Sequence, residues 1–476
     1  MADLRGDGPR GAGQPALTPE CRRSPLVSRL AAGAAIAVAA ATLVVLVVLT
    51  AANLPYAAGV ALTSALALST SWMATTNRRR RGLTVPATVL LLAVAIAILV
   101  AQGPSAVGIA AVLVGLVLAG ALGSLALRWE VRDALRSRWS SVPSTRHGVV
   151  FVNPRSGDGK AVRFALAEEA RRRGLEVLLL QPGDDLRELA AAAVIRGADA
   201  LGMAGGDGSQ AVVAAVAAAH GLPFVCVPTG TRNHFALDLG IDRDNPVRAL
   251  DAFGEAREST IDLGEVNGEV FVNNVSLGLY AEIIQSEAYR NAKRQTVARM
   301  LPDLIGPEAP PSAFDLTSPF GVVSDAQVIL VSNNPYRLSS VSGFGSRPVL
   351  DGGELGVATL TLQRPSDVDG LVALEIAGHP ERYPGWRQWS AASLEVRGPG
   401  TLHVGLDGEA RTLSSPLHFA CRPRSLRVRI ARGEVGASPA FLWAPLTSST
   451  LVGLWRVLWG RPSGMVPVTG AARGVS

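Results

Sequence analysis

Cysteine is scarce in this chain of 476 residues, with three positions only, Cys21, Cys226 and Cys421. They are far apart, odd in number and without metal-ligand spacing, which argues against a disulfide framework and against a zinc site. Cys226 sits in the apolar run LPFVCVP, where a small core side chain is expected, and a reducing compartment suits the globular part. Lysine is scarcer still, occurring only at Lys160 and Lys293. Arginine carries the rest of the positive charge, a compositional habit rather than a sign of arginine-specific chemistry. Net charge is +6 and the sequence pI about 9.7; nucleic acid is not an expected partner.

The mean hydropathy of +0.27, with 48% hydrophobic residues, is high for a soluble enzyme. The excess lies in the first 130 residues, so a membrane segment joined to a globular remainder is expected. After a Gly-, Pro- and Arg-rich start (1–29, expected to be disordered), four apolar stretches follow within 30–127. They run over about 30–52, 57–73, 84–101 and 106–127, each near the roughly 20 residues that cross a bilayer core. Arginines cluster before the first (Arg22, Arg23, Arg29), between the second and third (Arg78 to Arg81) and after the fourth (Arg128, Arg132, Arg136, Arg138). The other two connections have none. By the positive-inside rule this gives four spans with both ends cytoplasmic, a multi-pass protein of the cell membrane whose remaining chain faces ATP. Gly108, Gly115, Gly120 and Gly123 would let helices approach closely, which leaves a homodimer open.

Beyond a linker at 128–146 the pattern changes. Short β-branched runs (GVVFVNP, EVLLLQ, ALGMAGGDG, PFVCVPTG) alternate with helical segments over 147–259, the signature of a parallel sheet. Ligands bind such sheets at the carboxyl ends of the strands. Asn153-Pro154, Gly205-Gly206-Asp207 and Thr229-Gly230-Thr231 all fall at such ends. Residues 260–432 read mostly as strands with turn residues between them, an antiparallel, sandwich-like β domain interrupted by one helical stretch near 281–304. The tail, 433–476, carries FLWAPLTSSTLVGLWRVLWGR, which could lie on the membrane surface or pack on the protein. The expected fold is thus a helical membrane segment of four spans, an α/β nucleotide-binding domain and a β-rich second domain.

The segment AGGDGSQ, Ala204 to Gln210, is the most informative. Glycines at Gly205, Gly206 and Gly208 let a backbone approach a bulky anion, and the helix that follows turns unpaired amides toward the same place. Asp207, alone in that frame, is placed for a metal or a ribose. A phosphorylated nucleotide is the expected ligand.

VNPRSG, GGDGS, PTGTRNHFA, IDLGEVNG, FVNNVSLG and DGE occur in this order over about 148–430. The set resembles the diacylglycerol kinase catalytic family, which includes bacterial diacylglycerol kinases, other lipid kinases and sphingosine kinases. The resemblance implies that Asn153, Ser156 and Gly157 frame ATP together with Gly205, Gly206, Gly208 and Ser209, and that Thr231 and Asn233 close the nucleotide pocket. It implies Glu409 as the general base, with Asp407 two residues before it and Asp207 as the third catalytic acid. Magnesium would meet Asp207 and Asp262, and the acceptor would be a membrane lipid hydroxyl. Asn273 and Asn274 could satisfy buried backbone groups or touch lipid.

Three departures from the family pattern stand out. Ser209 replaces a threonine and keeps its hydroxyl. His234 stands where an acid is usual and cannot hold magnesium as a carboxylate does. In RPVLDGGELGV, Asp351 sits one residue early, with Gly352 where an acid is expected. Two other functions compete with a lipid kinase: a kinase of a soluble substrate related to NAD kinases, which share GGDG, and a membrane-bound nucleotide or lipid sensor impaired in transfer.

Overall fold

The computed structural model describes residues 24–52, 65–71, 84, 86–91, 93, 105–136, 138–278, 314–324, 326–336, 346–361, 382–439 and 448–463. They form two compact units, one from the described residues within 24–131 and 448–463, the other from those within 132–439.

In the first unit the long helices Leu26–Ala52 and Ser105–Arg136 are built from alanine, leucine and valine without an interior proline. Within them Leu26–Val48 and Ala110–Val131 are long and apolar enough to cross a membrane. They coincide with the first and fourth expected spans. Two such helices, not four, occur among the described residues. Most of the second and third expected spans lies outside those residues; the parts described, 65–71 and scattered positions from 84 to 93, are helical. The tail contributes the helix Ser448–Leu458. It is tied to the start of the first long helix, where Ser24 Oγ donates to the Arg461 carbonyl at 2.8 Å and Arg29 Nε to that of Leu458 at 3.4 Å.

The second unit holds two sheets. The larger has a parallel centre in the order Glu176–Leu179, Gly148–Val152, Ala200–Gly205, Pro223–Pro228. Its three inner strands are buried at every residue, which is why they read as unbroken apolar runs rather than alternating ones. The helix Asp207–Ala219 packs Ala211, Ala214 and Ala217 inward. The helix Leu186–Ile195 opens at Asp185, whose carboxylate accepts the N–H groups of Arg187 and Glu188, a side-chain cap.

The fifteen-residue strand Leu417–Ala431 joins the two halves of this unit. Its later part pairs parallel with Pro223–Pro228 through Arg427–Arg429, and along its length it pairs antiparallel with Ala256–Val266. Residue 260 therefore lies inside a strand of the α/β sheet, and the chain returns to that sheet from the β-rich segment. The second sheet is antiparallel throughout, ordered Trp386–Ala391, Leu355–Leu360, Val328–Asn333, Asn274–Gly278, Thr401–Leu406, Glu409–Ser414. Phe271, Leu417 and Phe419 of the larger sheet share one buried cluster with Leu277, Val331 and Val404 of the smaller. Two sheets facing one core make the sandwich expected from the alternating pattern. The helical stretch expected near 281–304 lies outside the described residues.

Candidate active site

Three loops leave the parallel strands at the same level. Val152 pairs with Ala204, Ala204 with Val227, and Gly205 with Pro228, so Asn153, Gly206 and Thr229 emerge side by side. The loops then pack on one another backbone to backbone. A methyl group on Gly157 would run into the Thr229 carbonyl, and one on Gly230 would stand 2.6 Å from the Gly206 Cα. Gly157 also has φ +55°, a conformation that disfavours side chains. These glycines are required by close approach, whatever ligand the edge accepts. Asn153 Oδ1 accepts the Arg155 N–H at 3.1 Å, an ordinary turn bond. Ser156 and Ser209 are half-buried beside the glycines and Thr231 is exposed. Lys160, the first residue of the helix after RSGDG, donates to the Arg243 carbonyl.

Asp207 begins the helix Asp207–Ala219 and reaches across to the third loop. Its carboxylate accepts the N–H groups of His234 at 3.0 Å and Phe235 at 3.2 Å. His234 thus meets Asp207 through its backbone N–H, a role that any residue but proline could fill. Asn233 turns inward: its amide donates to the Gly230 carbonyl at 2.6 Å, and the residue is buried with φ +50°. It shapes the loop from behind.

The DGE segment is a hairpin. Asp407 and Gly408, both at positive φ (49° and 87°), form the two-residue turn between Thr401–Leu406 and Glu409–Ser414, the geometry of a type I′ connection. The Asp407 carboxylate accepts three N–H groups, from Val272 at 2.8 Å, Asn273 at 2.8 Å and Asn274 at 3.0 Å. Burial pushes this carboxyl up to about 7; the negative charge of Asp207 pushes the same way, and the three N–H bonds oppose it. Glu409 is different in kind. Its side chain is 48% exposed and meets Arg411 Nη2 at 3.1 Å. It lies against Gly208, where a methyl group would stand 2.5 Å from the Glu409 carboxyl carbon. Asp207, Asp407 and Glu409 therefore come together, although two hundred residues separate the first from the last.

Asp262 stands in another setting. It is fully buried and both oxygens are occupied: Oδ1 by the Arg424 N–H at 2.8 Å, Oδ2 by the Gly353 N–H at 2.6 Å and Asn334 Nδ2 at 3.1 Å. Arg424 lies at the irregularity between Arg422 and Leu426 where the long strand changes register. Asp262 holds that bulge and the loop after Leu350. Asp351, from the same loop, faces Arg138 at 3.2 Å. Replacing Asp262 by alanine leaves three donors without this partner, one buried and two partly buried, each costing up to about 1–3 kcal/mol. A loss on the order of 3–5 kcal/mol, or roughly 5–10 °C in Tm, is expected by thermal unfolding of the full chain. A variant as stable as the parent, but no longer stabilised by magnesium, would return Asp262 to the metal.

The sequence reading missed two residues beneath the site. Asp238, at the end of the short helix His234–Asp238, and Arg347 form a fully buried ion pair at 2.6 Å. Arg347 also donates to the carbonyls of Val272 and Asn333 and to Asn273 Oδ1. No periodicity marks either residue; a single aspartate within the apolar run FALDLGI was the available signal. Among the described residues, no three or more His, Cys, Asp or Glu side chains cluster as a metal cage.

The fold and site thus define an α/β protein whose glycine loops meet an acidic hairpin from a second sheet. Residues 147–266 match the diacylglycerol kinase catalytic domain. The chain is 32% identical over 310 residues to a Pseudomonas fluorescens protein named "Probable lipid kinase YegS-like", covering 60% of this chain and 96% of that protein. It is 39% identical over 123 residues to a diacylglycerol kinase of Mycobacterium tuberculosis, covering 25% of this chain but only 40% of the relative. A crystal structure of a diacylglycerol kinase from Bacillus anthracis superposes with a TM-score of 0.47 at 17% identity, over 61% of this chain and 99% of that one. The chain belongs to the family of diacylglycerol kinase catalytic domains and YegS-like lipid kinases.

Proposed function

We propose that this chain is a membrane-held, ATP-dependent kinase that phosphorylates the hydroxyl of a diacylglycerol-like lipid. The observation that carries the reading is the contact of Glu409 with Gly208, in the first turn of the helix that opens at the glycine loop. A helix start offers unpaired N–H groups and the positive end of the dipole, which suit a phosphate chain. On this reading Asn153, Ser156, Gly157, Gly205, Gly206, Gly208, Ser209 and Thr231 line the nucleotide, and Asn233 braces the third loop.

A lipid hydroxyl is too weak an acid to ionise at neutral pH. Glu409 accepts its proton as the new oxygen–phosphorus bond forms and the bond to the departing diphosphate breaks. Glu409 suits this task because its carboxylate is exposed and near the loop. Asp407, held by three N–H groups, positions the turn that carries it. Magnesium commonly uses one or two carboxylates together with phosphates and water. Asp207, half-buried and with one N–H bond on each oxygen, fits as its protein contact, whereas Asp262, fully buried and with three donors on its oxygens, does not. Bound there, the ion would neutralise charge on the phosphate oxygens.

The helices Leu26–Val48 and Ala110–Val131 support anchorage in the cell membrane, and the arginine clusters favour a multi-pass arrangement with a cytoplasmic catalytic part. An apolar substrate stays in the bilayer, so tethering raises its effective concentration at the site. The tail helix suits the same surroundings, since Leu451, Val452, Trp455 and Trp459 are exposed. Membranes overproducing the protein, incubated with labelled ATP and magnesium and then extracted, should yield label in one organic-soluble lipid. Label in NAD would favour the soluble-substrate kinase, and no transfer at all the sensor.

A further inference from the structure

We propose that Arg347 is a positioning residue that fixes Glu409 over the glycine loop by clamping the segment Val272–Asn274 to the helix His234–Asp238. The proposal rests on Glu409 as proton acceptor, and it concerns residues outside the loops and the DGE turn.

The contacts close a ring. Asp207 holds the start of the helix His234–Asp238 through two N–H bonds. From the other end of that helix Asp238 accepts the Arg347 N–H at 2.9 Å and Nε at 2.6 Å. Arg347 then reaches forward: Nη1 donates to the Val272 carbonyl at 2.5 Å and that of Asn333 at 2.8 Å, and Nη2 to Asn273 Oδ1 at 2.8 Å. The opposite edge of the same segment gives its N–H groups to Asp407. Asp407 leads through Gly408 to Glu409, which rests on Gly208, next to Asp207.

Val272–Asn274 is thus pinned from both sides, by a cation on its acceptors and a carboxyl group on its donors. A displacement of that segment carries the two-residue turn and Glu409 with it. The guanidinium donates from three separate nitrogens held in one plane, whereas the three N–H donors of a lysine all radiate from a single nitrogen and cannot reach these partners together. The Tyr336 ring lies 5.5 Å from the guanidinium carbon and Arg347 is fully buried, so the fork is locked. A buried ion pair contributes little net stability compared with well-packed apolar residues. Fixing geometry is what this pair supplies.

The test is Arg347→Lys in the full chain, read by hydrogen exchange and by kinetics. Exchange should rise at least about tenfold in peptides covering 268–278 and 402–414, while the strand Gly148–Val152 stays protected. Turnover should fall by roughly 30-fold or more with KM for ATP within about twofold, the signature of a misplaced group rather than a lost nucleotide site. In a Glu409→Gln background the same substitution should change turnover by less than about twofold, because both act through one carboxylate. Unchanged exchange, or an undiminished further loss in that background, overturns the proposal. Should Arg347→Lys not fold, Asn273→Ala, which removes the Nη2 contact alone, is read by the same peptides, and unchanged exchange again overturns it. A parent protein that phosphorylates no lipid defeats the kinase reading, and the exchange result then decides the clamp by itself.

Discussion

Glu409→Gln is expected to lower phosphoryl transfer by roughly 10²–10⁴-fold, the range that a positioned general base supplies. KM for ATP should stay within about twofold, since glutamine keeps the size of the side chain and its contact with Gly208. The substitution keeps the size and hydrogen-bonding reach of the side chain and removes its ability to take a proton. Stability should be unaffected: the side chain is 48% exposed, and its Arg411 contact is a surface pair of small worth. Steady-state kinetics with labelled ATP and the lipid identified from membranes measure it. A Gln variant that retains the parental rate would remove Glu409 from the chemistry.

That prediction was within reach of the sequence because its two ends are local patterns. Glycines that must sit at strand ends, and an Asp-Gly pair between two alternating runs, are written in short segments. That Glu409 serves the same site as the glycine loop was implied by the family resemblance of the ordered motifs; its contact with Gly208 is seen only in the fold. The bracing was not legible. For Asp262 the family resemblance implies a metal contact, and the sequence alone offers no check, because an aspartate near a strand start looks the same whether it faces a cation or three N–H donors. What decides between them is a bulge at Arg424, more than 160 residues away, and the loop at Gly353. Arg347 and Asp238 are likewise 109 residues apart, and neither stands in a pattern that announces a partner.

The domain boundary had the same difficulty. Hydrophobic periodicity shows that Ala256–Val266 and Leu417–Ala431 are strands, but not which sheet they join. Their pairing carries the α/β sheet outward into the sandwich, and this continuity gives Asp407 and Glu409 a rigid path back to the glycine loop. The two long apolar helices were legible for the opposite reason. Leu26–Val48 and Ala110–Val131 need no partner to be recognised, only length and composition.

Gly208→Ala should separate activity from stability. Gly208 lies in the first turn of the helix Asp207–Ala219 at an ordinary φ, so alanine fits the backbone, and replacing a helical glycine by alanine favours the helix by up to about 1 kcal/mol. The three atoms nearest to the methyl group all belong to the Glu409 side chain, among them the carboxyl carbon at 2.5 Å and Cγ at 2.9 Å. Glu409 is the movable partner, since its outer part is exposed, so relief comes by swinging the carboxylate away at little cost in folding. A displacement on the order of 1 Å at a reacting group can lower the rate about 10²-fold. The expected variant therefore melts at or slightly above the parental temperature, binds ATP nearly as well and transfers phosphate about a hundred times more slowly. A matching rate would mean that Glu409 works from some other place than the one it occupies against Gly208, and a sharply lower Tm would mean that the hairpin, not the side chain, is what the methyl group displaces.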